Sequence, residues 1–206
     1  MKITKQSLIL TQKISDEIKN QTFHHHYHIL YDIASLFPND KELNYVEIGC
    51  YAGGSACLLL QRPKTNVTSI DLGNPIDKSI VINNVNRLNK LSNKFIYLKG
   101  NSQTEEMVNN LKSVTPNIDI LFIDGDHSYK GVINDFNLYS NLVNSGGYII
   151  FDDYLDFKHS PNVKRAVDFL VKELKDKYEI IGTLDNTFGA RPTSLNKNNT
   201  FILKKI

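Results

Sequence analysis

Several features that mark particular protein classes are scarce or missing in this sequence. Its 206 residues include no tryptophan and only two cysteines, Cys50 and Cys57, which lie seven positions apart. This spacing gives neither a disulfide framework nor a metal-binding pattern, so we interpret both as packing residues. No apolar run approaches the roughly 20 residues of a membrane span, and the apolar stretch near the N-terminus is too short for a signal peptide. We therefore expect a cytoplasmic protein with no membrane partner.

An excess of charge of one sign is also missing. Lysine and arginine number 24 against 22 aspartates and glutamates, which gives a formal charge of +2. A protein that holds nucleic acid by general electrostatic attraction needs a strongly basic surface, so we expect no nucleic-acid partner. The composition, 41% hydrophobic and 22% charged, is that of an ordinary globular protein, and the length suits one domain.

The N-terminal part, residues 1–40, carries helical signals and no strand signal. It includes the run 24–28, HHHYH, whose histidines face different directions on a helix and cannot converge on one metal ion. We interpret the run as a partly exposed helical face. We predict a single domain over residues 1–206, in which residues 1–40 form a helical lid or dimerisation segment and 41–206 the core. A homodimer is expected by analogy only.

From residue 44 onward, predicted strands and helices alternate. The predicted strands are 44–48, 66–70, 94–98, 118–123, 148–151, 179–181 and 201–203. The predicted helices are 56–60, 78–88, 104–111, 132–142 and 163–174. We expect Gly146 and Gly147 to close the helix that precedes the fifth strand. This alternation is typical of an α/β protein with a doubly wound, mostly parallel seven-stranded sheet that helices cover on both faces.

Sheets of this kind bind ligands at the carboxyl ends of their strands. The first five predicted strands all end in glycine or polar residues, which a sheet protein without a ligand would not need. These residues are Glu47, Gly49, Asp71, Asn101, Ser102, Asp124, Asp126, His127, Asp152 and Asp153. We therefore expect the functional site at this edge of the sheet.

The first strand leads into a glycine-rich turn, residues 46–55, VEIGCYAGGS. Glycines at such a turn let the backbone approach a ligand closely. Asp71 follows Gly49 by 22 residues, a spacing that suits an acceptor for ribose hydroxyls. Dinucleotides usually meet the pattern G-x-G-x-x-G, which is absent here, and the charge of Glu47 disfavours a pyrophosphate. The turn therefore favours a nucleoside with a cationic group over NAD.

The stretch from Glu47 to Ser55 resembles motif I of the class I S-adenosylmethionine-dependent methyltransferases, which have a Rossmann-like fold. Asp71 is similar to the acid that binds the cofactor ribose in that family, and Asn101 and Ser102 stand where the family contacts adenine. The resemblance extends over residues 45–154. It implies that S-adenosylmethionine is bound by Glu47, Gly49, Tyr51, Gly53, Ser55, Asp71, Leu72, Asn101, Ser102, Asp124 and His127.

A more specific resemblance is carried by the segment 122–129, FIDGDHSY, together with GGY at 146–148 and DDY at 152–154. These motifs are similar to those of small O-methyltransferases that tailor sugars and antibiotics, the macrocin O-methyltransferase type, and of cephalosporin-hydroxylase-like proteins. The resemblance implies methyl transfer to a small hydroxylated or sugar-containing acceptor. A methyltransferase with another acceptor, an NAD-binding oxidoreductase and a cofactor-binding protein without chemistry remain as alternatives.

The four aspartates Asp124, Asp126, Asp152 and Asp153 follow the fourth and fifth predicted strands, which we expect to be neighbours. Carboxylates this close repel one another, and a hard divalent cation such as Mg²⁺ would relieve the repulsion. In the metal-dependent sugar and catechol methyltransferases that the chain resembles, an aspartate after the fourth strand and an acidic pair after the fifth hold the metal. The resemblance implies Asp124, Asp152 and Asp153 as ligands, with Asp126 as the competing ligand. The alternative is that no metal binds.

His127 is the candidate catalytic base. A hydroxyl that accepts a methyl group must lose its proton, and a histidine with a pKa near neutrality suits that task. Asp126 is the second candidate for this role, and the alternative is that His127 only bonds an aspartate and fixes the loop. His159 and Arg191 lie in loops that could contact the acceptor, but we interpret both as ordinary loop residues.

Overall fold

The computed structural model describes residues 4–18, 27–174, 176–184 and 199–206. Most of the histidine run and Arg191 lie outside these residues, so the predictions made for them stay predictions. The chain forms two compact units, residues 1–102 and residues 103–206. No helix in the described part of the chain is both long and apolar enough to cross a membrane.

The first unit contains four helices and three strands among its described residues. In chain order they are α1 (Lys5–Glu17), α2 (His28–Ala34), β1 (Leu43–Ile48), α3 (Gly54–Leu59), β2 (Thr65–Asp71), α4 (Lys78–Leu88) and β3 (Phe95–Lys99). The strands lie in the order β3-β2-β1 and are all parallel, with Ile48 beside Ile70 and Asp71 beside Lys99. Their carboxyl ends therefore lie at one edge, as the sequence predicts.

The two N-terminal helices are joined by a buried carboxylate. Asp32 on α2 accepts hydrogen bonds from the hydroxyls of Thr4, at 2.8 Å, and Ser7, at 2.9 Å. Thr4 in turn caps α1, because its side chain accepts the N–H of Ser7. The predicted helical character of this region is confirmed in both described helices.

The second unit carries the remaining elements. They are α5 (Glu105–Val114), β4 (Ile118–Ile123), α6 (Tyr129–Tyr139), a 3₁₀ turn (Ser140–Leu142), β5 (Val143–Phe151), α7 (Pro161–Leu174), β6 (Tyr178–Gly182) and β7 (Phe201–Lys205). The strands lie in the order β4-β5-β7-β6; β4 and β5 are parallel, while β7 is antiparallel to both of its neighbours. The predicted α/β class and the seven strands are confirmed, and the sheet is mixed.

One local prediction is wrong. Gly146 and Gly147 do not close a helix, because α6 already ends at Tyr139 and both glycines lie within β5. The pairing of β4 with β5 shifts register here, and Gly146 has a positive φ of 79°. A Cβ on Gly147 would lie 2.8 Å from the carbonyl oxygen of Asp119. The glycines thus allow a bulge and a close approach of two strands.

Both cysteines are buried and free. Burial raises the pKa of the Cys50 thiol and raises that of Cys57 to about 12. Neither thiol is therefore a nucleophile at neutral pH, which agrees with their interpretation as packing residues.

Candidate functional site

The glycine-rich turn follows β1 and has an unusual backbone. Gly49 and Gly53 both have a φ of 84°, in the left-handed region, and Tyr51 between them has a φ of 46°. Glycine adopts this region freely, but a tyrosine does so only when its surroundings hold it there. A Cβ on Gly53 would also lie 3.1 Å from a methyl group of Val81. The turn is thus a tightly constrained loop whose side chain at Tyr51 is exposed.

Asp71, at the end of β2, holds this turn in place. One carboxylate oxygen accepts the N–H groups of Cys50 at 2.8 Å and Tyr51 at 3.2 Å, and the other accepts the N–H of Gly73 at 2.6 Å. These N–H groups are therefore already bonded to a carboxylate inside the protein, which makes the turn a poor cradle for a pyrophosphate. The Tyr97 hydroxyl also donates to Asp71, at a longer distance of 3.5 Å. A carboxylate offers about four acceptor positions, so a ribose hydroxyl would take the place of this long Tyr97 bond.

Three further residues predicted for nucleoside binding lie beside Asp71. Leu72 is 62% exposed, Asn101 is exposed and Ser102 is half-buried. The N–H of Gly100 donates to the carbonyl of Asp71 at 2.9 Å, which joins the ends of β2 and β3. The first unit thus brings the turn, the acid and these three residues to one edge of its parallel strands.

Glu47 and Ser55 are placed differently from the other predicted cofactor residues. Glu47 has no exposed surface, and its carboxylate accepts hydroxyls from Ser55 at 2.5 Å, Ser69 at 2.6 Å and Tyr45 at 2.9 Å. Burial raises the pKa of Glu47 to about 7. The two side chains therefore lie in the interior and connect β1, β2 and α3. Any effect of Glu47 on a ligand would act through its charge.

The second unit contains an acidic cluster at the ends of β4 and β5. The two strands are parallel neighbours, with Ile123 beside Phe151, which confirms the predicted pairing. Asp124 directly follows β4, and Asp152 and Asp153 directly follow β5. The carboxylates predicted as metal ligands are therefore carried by adjacent strand ends.

His127 lies in the middle of this cluster. Its Nε2 atom is 3.3 Å from a carboxylate oxygen of Asp124, and its Nδ1 atom is 3.0 Å from the hydroxyl of Ser160. Ser160 is buried and donates its proton to Asp153 at 2.8 Å. Because that proton is already used, the Ser160 oxygen can only accept from His127, so Nδ1 carries a hydrogen and Nε2 faces Asp124.

Within the described part of the chain, His127 is the basic side chain that pairs with Asp124 and Asp153. The hydrogen bond to Asp124 raises the pKa of His127 to about 9. Burial, followed by repulsion from Asp152, raises the pKa of Asp124 as well. Both groups thus hold protons more firmly than usual, because the Asp124 carboxyl is buried close to a second carboxylate and His127 is bonded to it. A bound cation would favour the ionised form of these carboxyl groups.

The donor atoms suit a divalent cation, but the set differs from the predicted one. Ligand atoms of Asp124, His127 and Asp153 all lie within 4.8 Å of one another. Asp152, which we predicted as a third ligand, is only 1% exposed and is not part of this group in the described structure. Two carboxylates and an imidazole are donors that divalent metals accept.

Asp126, the second candidate base, makes its hydrogen bonds with residues outside this cluster. It accepts the N–H of Ser128 at 2.9 Å, the hydroxyl of Ser128 at 3.1 Å and the side-chain amide of Gln103 at 3.3 Å. The Ser128 N–H bond lowers the pKa of Asp126, which makes it a weaker base. A Cβ on Gly131 would lie 2.3 Å from its carboxyl carbon. The carboxylate therefore shapes the start of α6.

Two residues of the cluster, Ser160 and Asn199, are not predicted from the sequence. Ser160 bridges His127 and Asp153, but before Pro161 it has the appearance of an ordinary helix-capping serine. Asn199 donates its side-chain amide to Asp153 at 2.9 Å, and only the folded chain brings these residues together. His159 is exposed and pairs with Asp156 at 3.0 Å, as a loop residue would.

Comparison with known proteins adds a family and a fold. Residues 46–154 match the model of a family described as a methyltransferase domain. The chain is 40% identical over 209 residues to the uncharacterized protein R132 of Acanthamoeba polyphaga mimivirus, and the match covers 94% of this chain and 92% of that protein.

Two solved structures illustrate the shared fold. MycE, a methyltransferase of mycinamycin biosynthesis solved with Mg, SAH and mycinamycin VI, is 17% identical with a TM-score of 0.65; the match covers 97% of this chain and 54% of MycE. A proposed caffeoyl-CoA O-methyltransferase from Staphylococcus aureus is 16% identical with a TM-score of 0.69, and the match covers 98% and 93% of the two chains. This chain thus spans about half of MycE, and the predicted Rossmann-like methyltransferase fold is confirmed.

Proposed function

The chain belongs to the family of methyltransferase domains, and on this premise we propose that it transfers a methyl group from S-adenosylmethionine to a hydroxyl oxygen of a small molecule. The observation that carries the proposal is the bonding of Asp71 to the glycine-rich turn. It forms a nucleoside site whose backbone N–H groups are not available to a pyrophosphate. This supports S-adenosylmethionine over NAD as the ligand, because the former has no phosphate.

The first unit supplies the proposed cofactor site. Asp71 accepts a ribose hydroxyl, while the exposed side chain of Leu72 offers an apolar surface to the adenine ring. Asn101 and Ser102 provide polar groups for the edge of the base. The exposed side chain of Tyr51, on the glycine-rich turn, provides a further contact for the cofactor.

The second unit supplies the proposed acceptor chemistry. The acceptor oxygen attacks the methyl carbon as the carbon–sulfur bond breaks, and the hydroxyl proton leaves to a base. His127 takes that proton at Nε2, since Nδ1 donates to Ser160. Its raised pKa means that the proton already on Nε2 must first be lost or displaced.

We further propose that Asp124 and Asp153 would hold Mg²⁺, with His127 beside them. When bound, it supplies positive charge that lowers the pKa of an acceptor hydroxyl. The closeness of the ligand atoms of Asp124, His127 and Asp153, the repulsion between Asp124 and Asp152, and the Mg present in the MycE structure support this assignment. The alternative is a methyltransferase that works without metal, in which His127 alone compensates the carboxylates.

The cofactor assignment is tested by binding of S-adenosylmethionine to an Asp71→Asn variant. Each lost charge-assisted hydrogen bond is worth about 1.5–3 kcal/mol, so we expect affinity to fall by about tenfold or more. Asp77→Asn is the matched control, because Asp77 is an exposed carboxylate that only caps α4. Equal affinities of the Asp71 and Asp77 variants would contradict the assignment.

A further inference from the structure

Glu47 is a buried carboxylate whose partners carry no positive charge. It has no exposed surface, and within the described part of the chain its hydrogen-bond partners are the hydroxyls of Tyr45, Ser55 and Ser69. A buried carboxylate is usually matched by a cation, because an isolated charge in the interior is costly. Here the cage that the described residues form around the carboxylate consists of three hydroxyls, on β1, β2 and the start of α3.

A hydroxyl cage can hold either protonation state of the carboxyl group. Hydroxyls donate to an ionised carboxylate, and by rotating they can accept from a protonated one. Burial raises the pKa of Glu47 to about 7, so both states are populated near neutral pH. The protonation state of Glu47 is therefore sensitive to any charge that binds nearby.

The other titratable groups near Glu47 do not fix its protonation state at neutral pH. Tyr45 and Cys57 stay protonated at neutral pH, because burial raises the pKa of each, and the same holds for Cys50 in the turn. Asp71 on β2 adds a like charge that raises the pKa of Glu47 further. Arg87 on α4 carries a positive charge that acts on Cys57. The sulfonium of the ligand is the positive charge that the proposed function adds at the turn.

We propose that Glu47 distinguishes the cationic cofactor S-adenosylmethionine from its uncharged-sulfur product S-adenosylhomocysteine through its own ionisation. This inference rests on the proposed function. Glu47 lies two residues before Gly49, at the base of the turn that forms the cofactor site, and a sulfonium bound there favours the ionised carboxylate. The neutral thioether of the product gives no such preference.

Because ligand binding and the ionisation of Glu47 are linked, the affinity for S-adenosylmethionine should depend on pH. Binding of the sulfonium lowers the pKa of Glu47 and releases a proton, so affinity for the cofactor rises as pH rises through the free value. If the pKa falls by one unit, the ratio of cofactor to product affinity grows about fivefold between pH 6 and pH 8. At the higher pH, the protein therefore binds the product less tightly relative to the cofactor than it does at the lower pH.

The test is calorimetric titration of the full chain with each of the two compounds at pH 6, 7 and 8. Each titration is run in two buffers of different ionisation heat, which reports the protons released by the wild-type protein without any variant. Glu47→Gln removes the titrating group while keeping its size. Asp32→Asn is the matched control, since Asp32 is another buried carboxylate held by hydroxyls, with a raised pKa, on α2.

We expect more protons to be released on binding of the cofactor than on binding of the product, and the ratio of cofactor affinity to product affinity to grow with pH. Both effects should appear in the wild type and in Asp32→Asn, and both should be absent in Glu47→Gln. Equal proton release with both compounds, or an affinity ratio that does not change with pH in the wild type, would overturn the inference alone. If S-adenosylmethionine does not bind at all, the proposed function fails and this inference fails with it.

Discussion

The buried Glu47 also predicts how the stability of the protein depends on pH. Its pKa is about 7 in the folded chain against an ordinary 4.5, so the folded state binds the proton more tightly than the unfolded state. The resulting stabilisation is fully present below pH 4.5 and is lost as pH rises through 7. A difference of 2.5 units at 1.36 kcal/mol per unit gives a loss of about 3 kcal/mol across this window.

Replacing Glu47 by glutamine removes this titration while the contributions of all other groups remain. The assay is urea unfolding of wild type and Glu47→Gln at several pH values between 4.5 and 8. We expect the free energy of unfolding of the wild type to fall relative to the variant by about 3 kcal/mol over that range. Parallel curves for the two proteins, with a constant difference at every pH, would refute the reasoning.

Three further predictions concern the second unit. Asp124→Asn should lower the pKa of His127 from about 9 towards its ordinary 6.5, as measured by NMR titration of the imidazole; an unchanged value would exclude Asp124 as the main cause. Mg²⁺ should raise the unfolding temperature of the wild type and EDTA reverse it, with no effect in Asp153→Asn, because a ligand that binds only the folded state stabilises it. Gly131→Ala should cost about 1–3 kcal/mol of stability, and the same change in an Asp126→Gly background should cost much less, because the three atoms nearest to the added Cβ, Asp126 Cβ included, all belong to the Asp126 side chain; an equal cost in both backgrounds would contradict the steric explanation.

The sequence predicts the elements best where local signals agree with one another. The helix 78–88 and the strand 118–123 are predicted to the residue, since a capping aspartate starts the first and an uninterrupted apolar run forms most of the second. The glycine pair at 146–147 shows the limit of such signals. Glycines after a helix favour a helix end, but here the close approach of Asp119 decides their role. The local sequence around the glycines does not indicate that Asp119 will lie next to them.

In the candidate site, too, some features can be predicted from local sequence and others depend on residues that are distant in the chain. Asp71 and the turn can be paired from sequence, because adjacent parallel strands bring their carboxyl ends together. Which aspartate of the motif at 124–126 faces His127 depends on the geometry of a turn, and the folded chain selects Asp124. Glu47 belongs to a motif associated with cofactor binding, yet its burial is visible only in the packed structure.

The decisive experiment for the proposed cofactor is calorimetric titration of the purified chain with S-adenosylmethionine and with NAD. We expect micromolar binding of S-adenosylmethionine and no binding of NAD, because Asp71 already occupies the backbone N–H groups of the turn. Binding of NAD, or of neither compound, would show that the proposed cofactor is wrong and leave only the fold.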